Sequence, residues 1–403
     1  MLHSIHLKNF FSFDDVKIEL HPETNILIGI NGSGKSNFLK AIKLLKEGIG
    51  GKGYKGIIND DFGGYTSIYN LTKKENLPIE ITYEFDSEIL SKYNLNSHFH
   101  VYQNLFYKIQ IKRTSSENNF ILHEMIYQPP REGHQDDYNY LDIENGIGYA
   151  SEKEINSAKW KRVKYDLQEA QNSALLTISD PDRYPALYML RRAISDIALY
   201  EIFDTRQKSK LRQPMLSTSA TKLDQEGENL PQILNTINIS QKEDYRNIKK
   251  LLQSINSGYT DINFNHIGPN IELMLEEENL KKSVHVASIS DGTLQFLCLL
   301  AILKNRNAGS LISIDEPEVR LHPDMINAIA DSIIESSKSR QHIIATHSEY
   351  LLNSFSLENI KVFEKNNNNC TEVKSFTEEE FSGWYKEFSV GQMWRKNDLG
   401  GNT

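Results

Sequence analysis

The chain has 403 residues, with 45 Lys plus Arg against 54 Asp plus Glu, a formal net charge of −9. This balance argues against a polybasic nucleic-acid tail, and the 39% hydrophobic content against disorder. The longest apolar run, 296–303, is far short of the roughly 20 residues of a membrane-spanning helix and the N-terminus has no secretory pattern. The only two cysteines are Cys298 and Cys370, too few for a disulfide framework, so a cytoplasmic globular protein is expected.

In chain order, the first strong signal is an apolar strand at 25–28 followed by Gly29-Ile30-Asn31-Gly32-Ser33-Gly34-Lys35-Ser36. This fulfils G-x-x-x-x-G-K-[ST], and the helical recurrence of Phe38, Ile42 and Leu45 after it supplies the strand, glycine loop and helix that the motif requires. Glycines let backbone N–H groups approach phosphate oxygens, and the helix N-terminus adds partial positive charge. The residues expected to bind nucleotide are Gly29, Asn31, Gly32, Ser33, Gly34, Lys35, Ser36 and Asn37. Lys35 would reach the β and γ phosphates, and the Ser36 hydroxyl would ligate Mg²⁺. Lys40, Lys43 and Lys46 read as a solvated helix face.

Strand-like runs at 77–85, 100–112 and 120–128 predict an antiparallel β lobe. Residues 132–155 read as a polar acidic loop carrying Asp136, Asp137, Asp142 and Glu144. Helical patterns at 185–203, 230–237 and 241–255 predict a helical lobe. Two basic segments fall here. Lys159-Trp160-Lys161-Arg162-Val163-Lys164 reads either as a nucleic-acid strip with an aromatic for stacking or as a solvated helix face. Arg191, Arg192, Arg206, Lys208, Lys210 and Arg212 could face DNA, or either segment an acidic protein.

The final third restores the site. Ser290 is a good N-cap for a helix whose residues 294–303 are apolar all round, so Ser290 and Gly292 mark a second anion-binding helix start. A buried strand at 311–314 ends in Asp315-Glu316. There Asp315 would hold Mg²⁺ and Glu316 would activate the attacking water. A third strand, 343–345, runs into Thr346-His347-Ser348, where His347 could position water or the leaving phosphate. One chain cannot easily wrap both anion sites round one nucleotide; two chains head to tail could.

These segments resemble the phosphate loop, signature, catalytic-strand and switch-histidine motifs of ABC-type ATPases. More narrowly, Asp315-Glu316-Pro317-Glu318-Val319-Arg320-Leu321-His322-Pro323 is similar to the OLD family (overcoming lysogenization defect) and related stand-alone prokaryotic ATPases. Leu7-Lys8-Asn9-Phe10-Phe11-Ser12-Phe13 resembles the opening strand of the RecF, SMC and OLD group. Residues 224–230 and 389–401 are similar to segments of the same stand-alone ATPases.

The resemblance implies an α/β, P-loop ABC-type head with a mixed sheet, an antiparallel β lobe and an inserted helical lobe. The corresponding divisions are 1–130, 131–265 and 266–403. It implies ATP and Mg²⁺ as ligands, with two subunits sandwiching two ATP molecules. Ser290 and Gly292 of one chain would cap the γ-phosphate held by Lys35 of the other, and dimers could build higher assemblies. A Mg²⁺-sensing glutamine is implied as well, with Gln128 or Gln103 the candidates. His322 is either part of the loop crossing the dimer seam or structural. The segment between Ser36 and Ser290, a separation of 254 residues, carries no sustained heptads, unlike SMC arms, and exceeds the gap of a transporter ATPase. The 56 residues after His347 are too few for the nuclease domain of OLD enzymes, since a compact domain of that kind needs about 100. The expected role is therefore an ATPase switch and scaffold for a separately encoded nuclease or toxin in antiphage defence. The alternative is a RecF-like clamp on DNA.

Overall fold

The computed structural model describes residues 1–73, 77–96, 99–115, 119–130, 135–155, 157, 159–377 and 389–401. The chain opens with the hairpin β1 (Leu2–Phe10) and β2 (Phe13–Glu19), then β3 (Thr24–Ile28) and helix α1 (Lys35–Gly48). Six strands follow: β4 (Ile79–Phe85), β5 (Leu105–Arg113), β6 (Phe120–Gln128), β7 (Tyr138–Glu144), β8 (Ile147–Lys153) and β9 (Trp160–Asp166). Helix α2 (Pro185–Ser195), β10 (Ile197–Tyr200), β11 (Met215–Leu216), α3 (Leu230–Ser240) and α4 (Lys242–Ile255) come next. They lead to β12 (Tyr259–Ile267), β13 (Asn270–Glu277), β14 (Val284–His285) and α5 (Asp291–Leu303). The last elements used below are β15 (Leu311–Asp315), α6 (Pro323–Ser337), β16 (Gln341–Ala345), β17 (Ile360–Lys365) and β18 (Thr371–Ser375).

Two compact units interleave along the chain. The first comprises residues 1–22, 29–197 and 362–374; the second comprises 23–28, 198–361 and 375–403. The first contains an eight-stranded sheet ordered β2-β1-β4-β5-β6-β7-β8-β9, antiparallel wherever its register is defined. Alternation drives it: along β5 the inward Leu105, Tyr107, Ile109 and Ile111 are fully buried while their neighbours are partly exposed. Helix α1 buries Phe38, Ala41, Ile42, Leu44 and Leu45 in the same unit.

The second unit is built on a parallel core in which β15 pairs with β16 and β16 with β3. These strands are buried on both faces, as parallel strands covered on both sides are. Every residue of α5 from Thr293 to Leu303 is buried. At ~1.5–3 kcal/mol for each fully buried large apolar side chain, that helix anchors the unit. A smaller sheet orders β11-β13-β12, with β14 on β13.

Three expectations are corrected. The acidic stretch 132–155 contains the β7–β8 hairpin, closed by Asn145 (φ 51°) and Gly146 (φ 81°). Asn-Gly with both residues at positive φ is the favoured two-residue hairpin turn, and it outweighs the polarity of the flanks. Asp142 and Glu144 instead pair across strands, with His123 (2.8 Å) and Lys112 (2.6 Å); residues 131–134 lie outside the described ones. Helix α2 stops at Ser195, and 197–200 forms a strand rather than prolonging the helix to 203. Trp160–Asp166 is an edge strand, not a helix face. The block 131–265, expected to be mostly helical, thus begins with three strands of the antiparallel sheet. Among the described residues no helix is long and apolar enough to cross a membrane.

Candidate active site

The phosphate loop leaves β3 at Gly29. Its glycines lie at φ 146° (Gly29), 82° (Gly32) and 116° (Gly34), which residues bearing a Cβ rarely adopt. A Cβ on Gly29 would fall 2.3 Å from the Phe363 carbonyl oxygen, and one on Gly34 2.3 Å from Thr371 Oγ1; around Gly32 the space is open. The loop is braced from outside. Thr371 Oγ1 donates to the Ser33 carbonyl (2.7 Å) and lies 2.7 Å from Ser12 Oγ, which accepts from Asn37 Nδ2 at 2.9 Å. Asn37, expected among the nucleotide ligands, has its amide committed to this brace.

Lys35 is 6% exposed, its Nζ donating to the carbonyls of Gly29 (2.7 Å) and Ile30 (3.3 Å). Ser36 is exposed on the first turn of α1, which carries no acidic side chain. Asn31 and Gly32 are exposed and Ser33 is buried. A loop with three glycines at positive φ, a buried lysine and an open helix start fit a phosphate chain, and the exposed Ser36 hydroxyl suits a magnesium ion.

In the second unit the strand ends are level: Asp315 is in register with Ala345, and Ala345 with Leu27 of β3. Glu316 has φ 48°, costly for a residue with a side chain, and its N–H donates to the Ala345 carbonyl at 2.9 Å. This strained turn presents the carboxylate 3.7 Å from His347 Nε2, both side chains partly exposed. Asp315 is half-buried at the end of β15.

Glu318 completes the cluster. Its Oε1 accepts from the His347 N–H and from Thr346 Oγ1, each at 2.7 Å, which fixes the loop bearing His347. Burial pushes its carboxyl above the ordinary glutamate value, and the neighbouring Glu316 charge pushes the same way. The sequence carried a signal in the second carboxylate two positions after Glu316, but its partners lie 28 and 29 residues away.

Ser290 caps α5 by accepting from the Thr293 N–H at 3.1 Å. Gly292 packs so closely on the turn that follows Glu316 that a Cβ would sit 2.7 Å from the Arg320 carbonyl oxygen. His322 caps α6 by accepting from the Asp324 N–H at 3.5 Å. Gln128 is buried, donating to the Gln103 carbonyl and accepting from Tyr140 OH, both at 2.7 Å. Its amide therefore serves the β lobe. The second basic segment is largely spent: Arg206 pairs with Asp204 and Lys210 with Glu228, Arg191 donates to Ser179 Oγ, and Arg212 is buried.

A strained acidic turn beside a histidine, a glycine phosphate loop and a capped signature helix are the parts of an ABC-type ATPase. Residues 24–353 match the family described as AAA domain, putative AbiEii toxin, Type IV TA system, and the chain belongs to that family. It is 24% identical to a Helicobacter pylori (strain ATCC 700392 / 26695) protein named ATP/GTP phosphatase, over 87% of this chain and 86% of that one. It is 48% identical over 44 residues to the DNA replication and repair protein RecF of Lactococcus lactis subsp. cremoris (strain MG1363). That match spans 11% of this chain and only 12% of RecF. The fold is that of the SMC head. The crystal structure of an SMC head bound to the C-winged helix domain of ScpA aligns with TM-score 0.55 and 14% identity, over 94% of this chain and 99% of that one. The Pyrococcus furiosus SMC head with an extended coiled coil, bound to the C-terminal domain of ScpA, gives 0.56 and 12%, over 96% and 98%.

Proposed function

We propose that the protein hydrolyses ATP as a head-to-tail dimer and works as a switch and scaffold for a separate effector, a nuclease or toxin, in prokaryotic antiphage defence. The observation that carries the chemistry is the left-handed Glu316, held by the Ala345 carbonyl 3.7 Å from His347. Lys35 and the loop N–H groups hold the phosphates. Ser36 and Asp315 are the residues that would hold a magnesium ion, which when bound would supply charge neutralisation for the phosphoryl group. Glu316 accepts a proton from water as its oxygen attacks the γ-phosphorus and the bond to the β-phosphate oxygen breaks, while His347 orients the attacked group. Ser290 and Gly292 of the second chain close on the γ-phosphate with the N-terminus of α5.

The effector role is supported by a family description that names a toxin and a toxin–antitoxin system. A RecF-like clamp on DNA is the second reading, favoured by the 44-residue match. The test pairs cell and tube. Lys35→Ala abolishes ATP binding, while Glu316→Gln binds ATP and accumulates as a closed dimer on size-exclusion chromatography with light scattering. A strain carrying Lys35→Ala with the neighbouring genes becomes phage-sensitive. Undiminished resistance would refute the defence role, and ATP-dependent retention of DNA on filters with steep salt dependence would favour the clamp.

A further inference from the structure

Arg212 sits in the second unit with its side chain 5% exposed, every nitrogen engaged. Its Nε donates to the Thr205 carbonyl at 2.8 Å. Nη1 gathers the carbonyls of Val286 (2.9 Å), Ala287 (3.2 Å) and Ile289 (2.7 Å), and Nη2 reaches Asp291 Oδ1 at 2.6 Å. One planar fork thus shapes the segment that leads into the signature helix, a geometry an ammonium cannot reproduce. Thr205 is fully buried and faces two ways: its Oγ1 accepts from Arg320 Nη1 at 2.6 Å. Arg320 stands four residues after Glu316 at φ 66°, and its carbonyl touches Gly292.

We infer that Arg212 and Thr205 are positioning residues that tie the signature segment to the catalytic turn of the same chain, so that closure on one ATP sets the carboxylate serving the other. This rests on the dimer reading above. In a head-to-tail pair, the signature of a chain meets its partner's ATP while its Glu316 serves its own. A shift at Ser290–Gly292 reaches Glu316 by two routes, the Gly292–Arg320 contact and the Arg212–Thr205–Arg320 chain. Interfaces of this tightness move between discrete arrangements rather than deforming smoothly.

Thr205→Val deletes the acceptor for Arg320 but leaves the carbonyl that Arg212 uses, and Arg320 is exposed enough to be solvated. Its nucleotide binding, its ATP-driven dimerisation in the Glu316→Gln background and its melting temperature stay at parental values. Turnover per dimer at saturating ATP falls about tenfold or more, as a small misplacement of a reacting group commonly costs. Thr205→Ser, which restores the hydroxyl, recovers turnover. Arg212→Lys keeps the charge but not the fork, and weakens dimerisation about tenfold with nucleotide binding unchanged. A merely structural role would move stability, binding and turnover together. If the parent dimerises with ATP and Thr205→Val turns over within about twofold of it, the tie is refuted alone. If the Glu316→Gln parent stays monomeric with ATP, the dimer reading is refuted and the tie with it.

Discussion

Glu316 and Glu318 stand two positions apart and do opposite work. The first is partly exposed on a strained turn; the second is half-buried, with one oxygen tied to Thr346 and His347. The placement of Lys35, Asp315 and Glu316 at a loop and a strand end was legible because it is local, set by residues adjacent in sequence. Glu318, Ser12 and Thr371 were not, because what they brace lies tens to hundreds of positions away. Glu318→Gln keeps an acceptor for the His347 N–H and turns over within a few-fold of wild type. Glu318→Ala frees that loop and loses roughly ten- to a hundredfold in kcat, measured by phosphate release. The folded carboxyl holds its proton above the ordinary 4.5, so its contribution to stability is present at low pH and lost as pH rises through the folded value. Thermal melts of Glu318→Gln from pH 4.5 upward therefore decline less than those of wild type.

At the level of elements, periodicity found what was periodic. Helix α5 emerged from an apolar run behind an N-cap, and β4, β5 and β6 from alternation. The β7–β8 hairpin was hidden by acidic side chains that read as loop, although Asn145-Gly146 was the available signal. Strand β9 was hidden by its lysines. On an open sheet edge, charge discourages pairing with another chain, so the same residues that suggested a solvated helix suit an edge strand. The cap of α5 tests structure and assembly separately. Ser290→Ala forfeits the acceptor for the Thr293 N–H and costs about 1 kcal/mol in urea unfolding. Ser290→Arg loses the cap too, but its long cation also fills the space a second chain's phosphate would enter. Both bind a fluorescent ATP analogue as wild type does; only Ser290→Arg abolishes ATP-dependent dimerisation on light scattering.

At the scale of the whole molecule, the division into two units falls at the end of β3. β3 belongs to the second unit and the phosphate loop that leaves it belongs to the first, a partition that the continuous strand-loop-helix motif does not signal. It gives the units separate responses to acid. His342 is fully buried in β16, its Nε2 3.1 Å from Ser336 Oγ in α6 and its N–H on the Glu23 carbonyl. Burial, with the Arg340 charge adding to it, lowers this imidazole to about 3 from an ordinary 6.5. Between those values the unfolded chain binds a proton that the folded chain refuses, so the stability tied to a neutral His342 is lost as pH falls from 6.5 towards 3. The loss lands on β15, β16 and β3. In hydrogen exchange at pH 7 and pH 5, corrected for intrinsic rates, protection of Ile312, Ile314 and Ile343 drops while that of Tyr107 and Ile109 in the first unit holds. His342→Gln, which can still meet the Ser336 hydroxyl but binds no proton, keeps that protection at pH 5. Equal loss in both units, or the same loss in His342→Gln, would assign the acid response to the carboxylates instead.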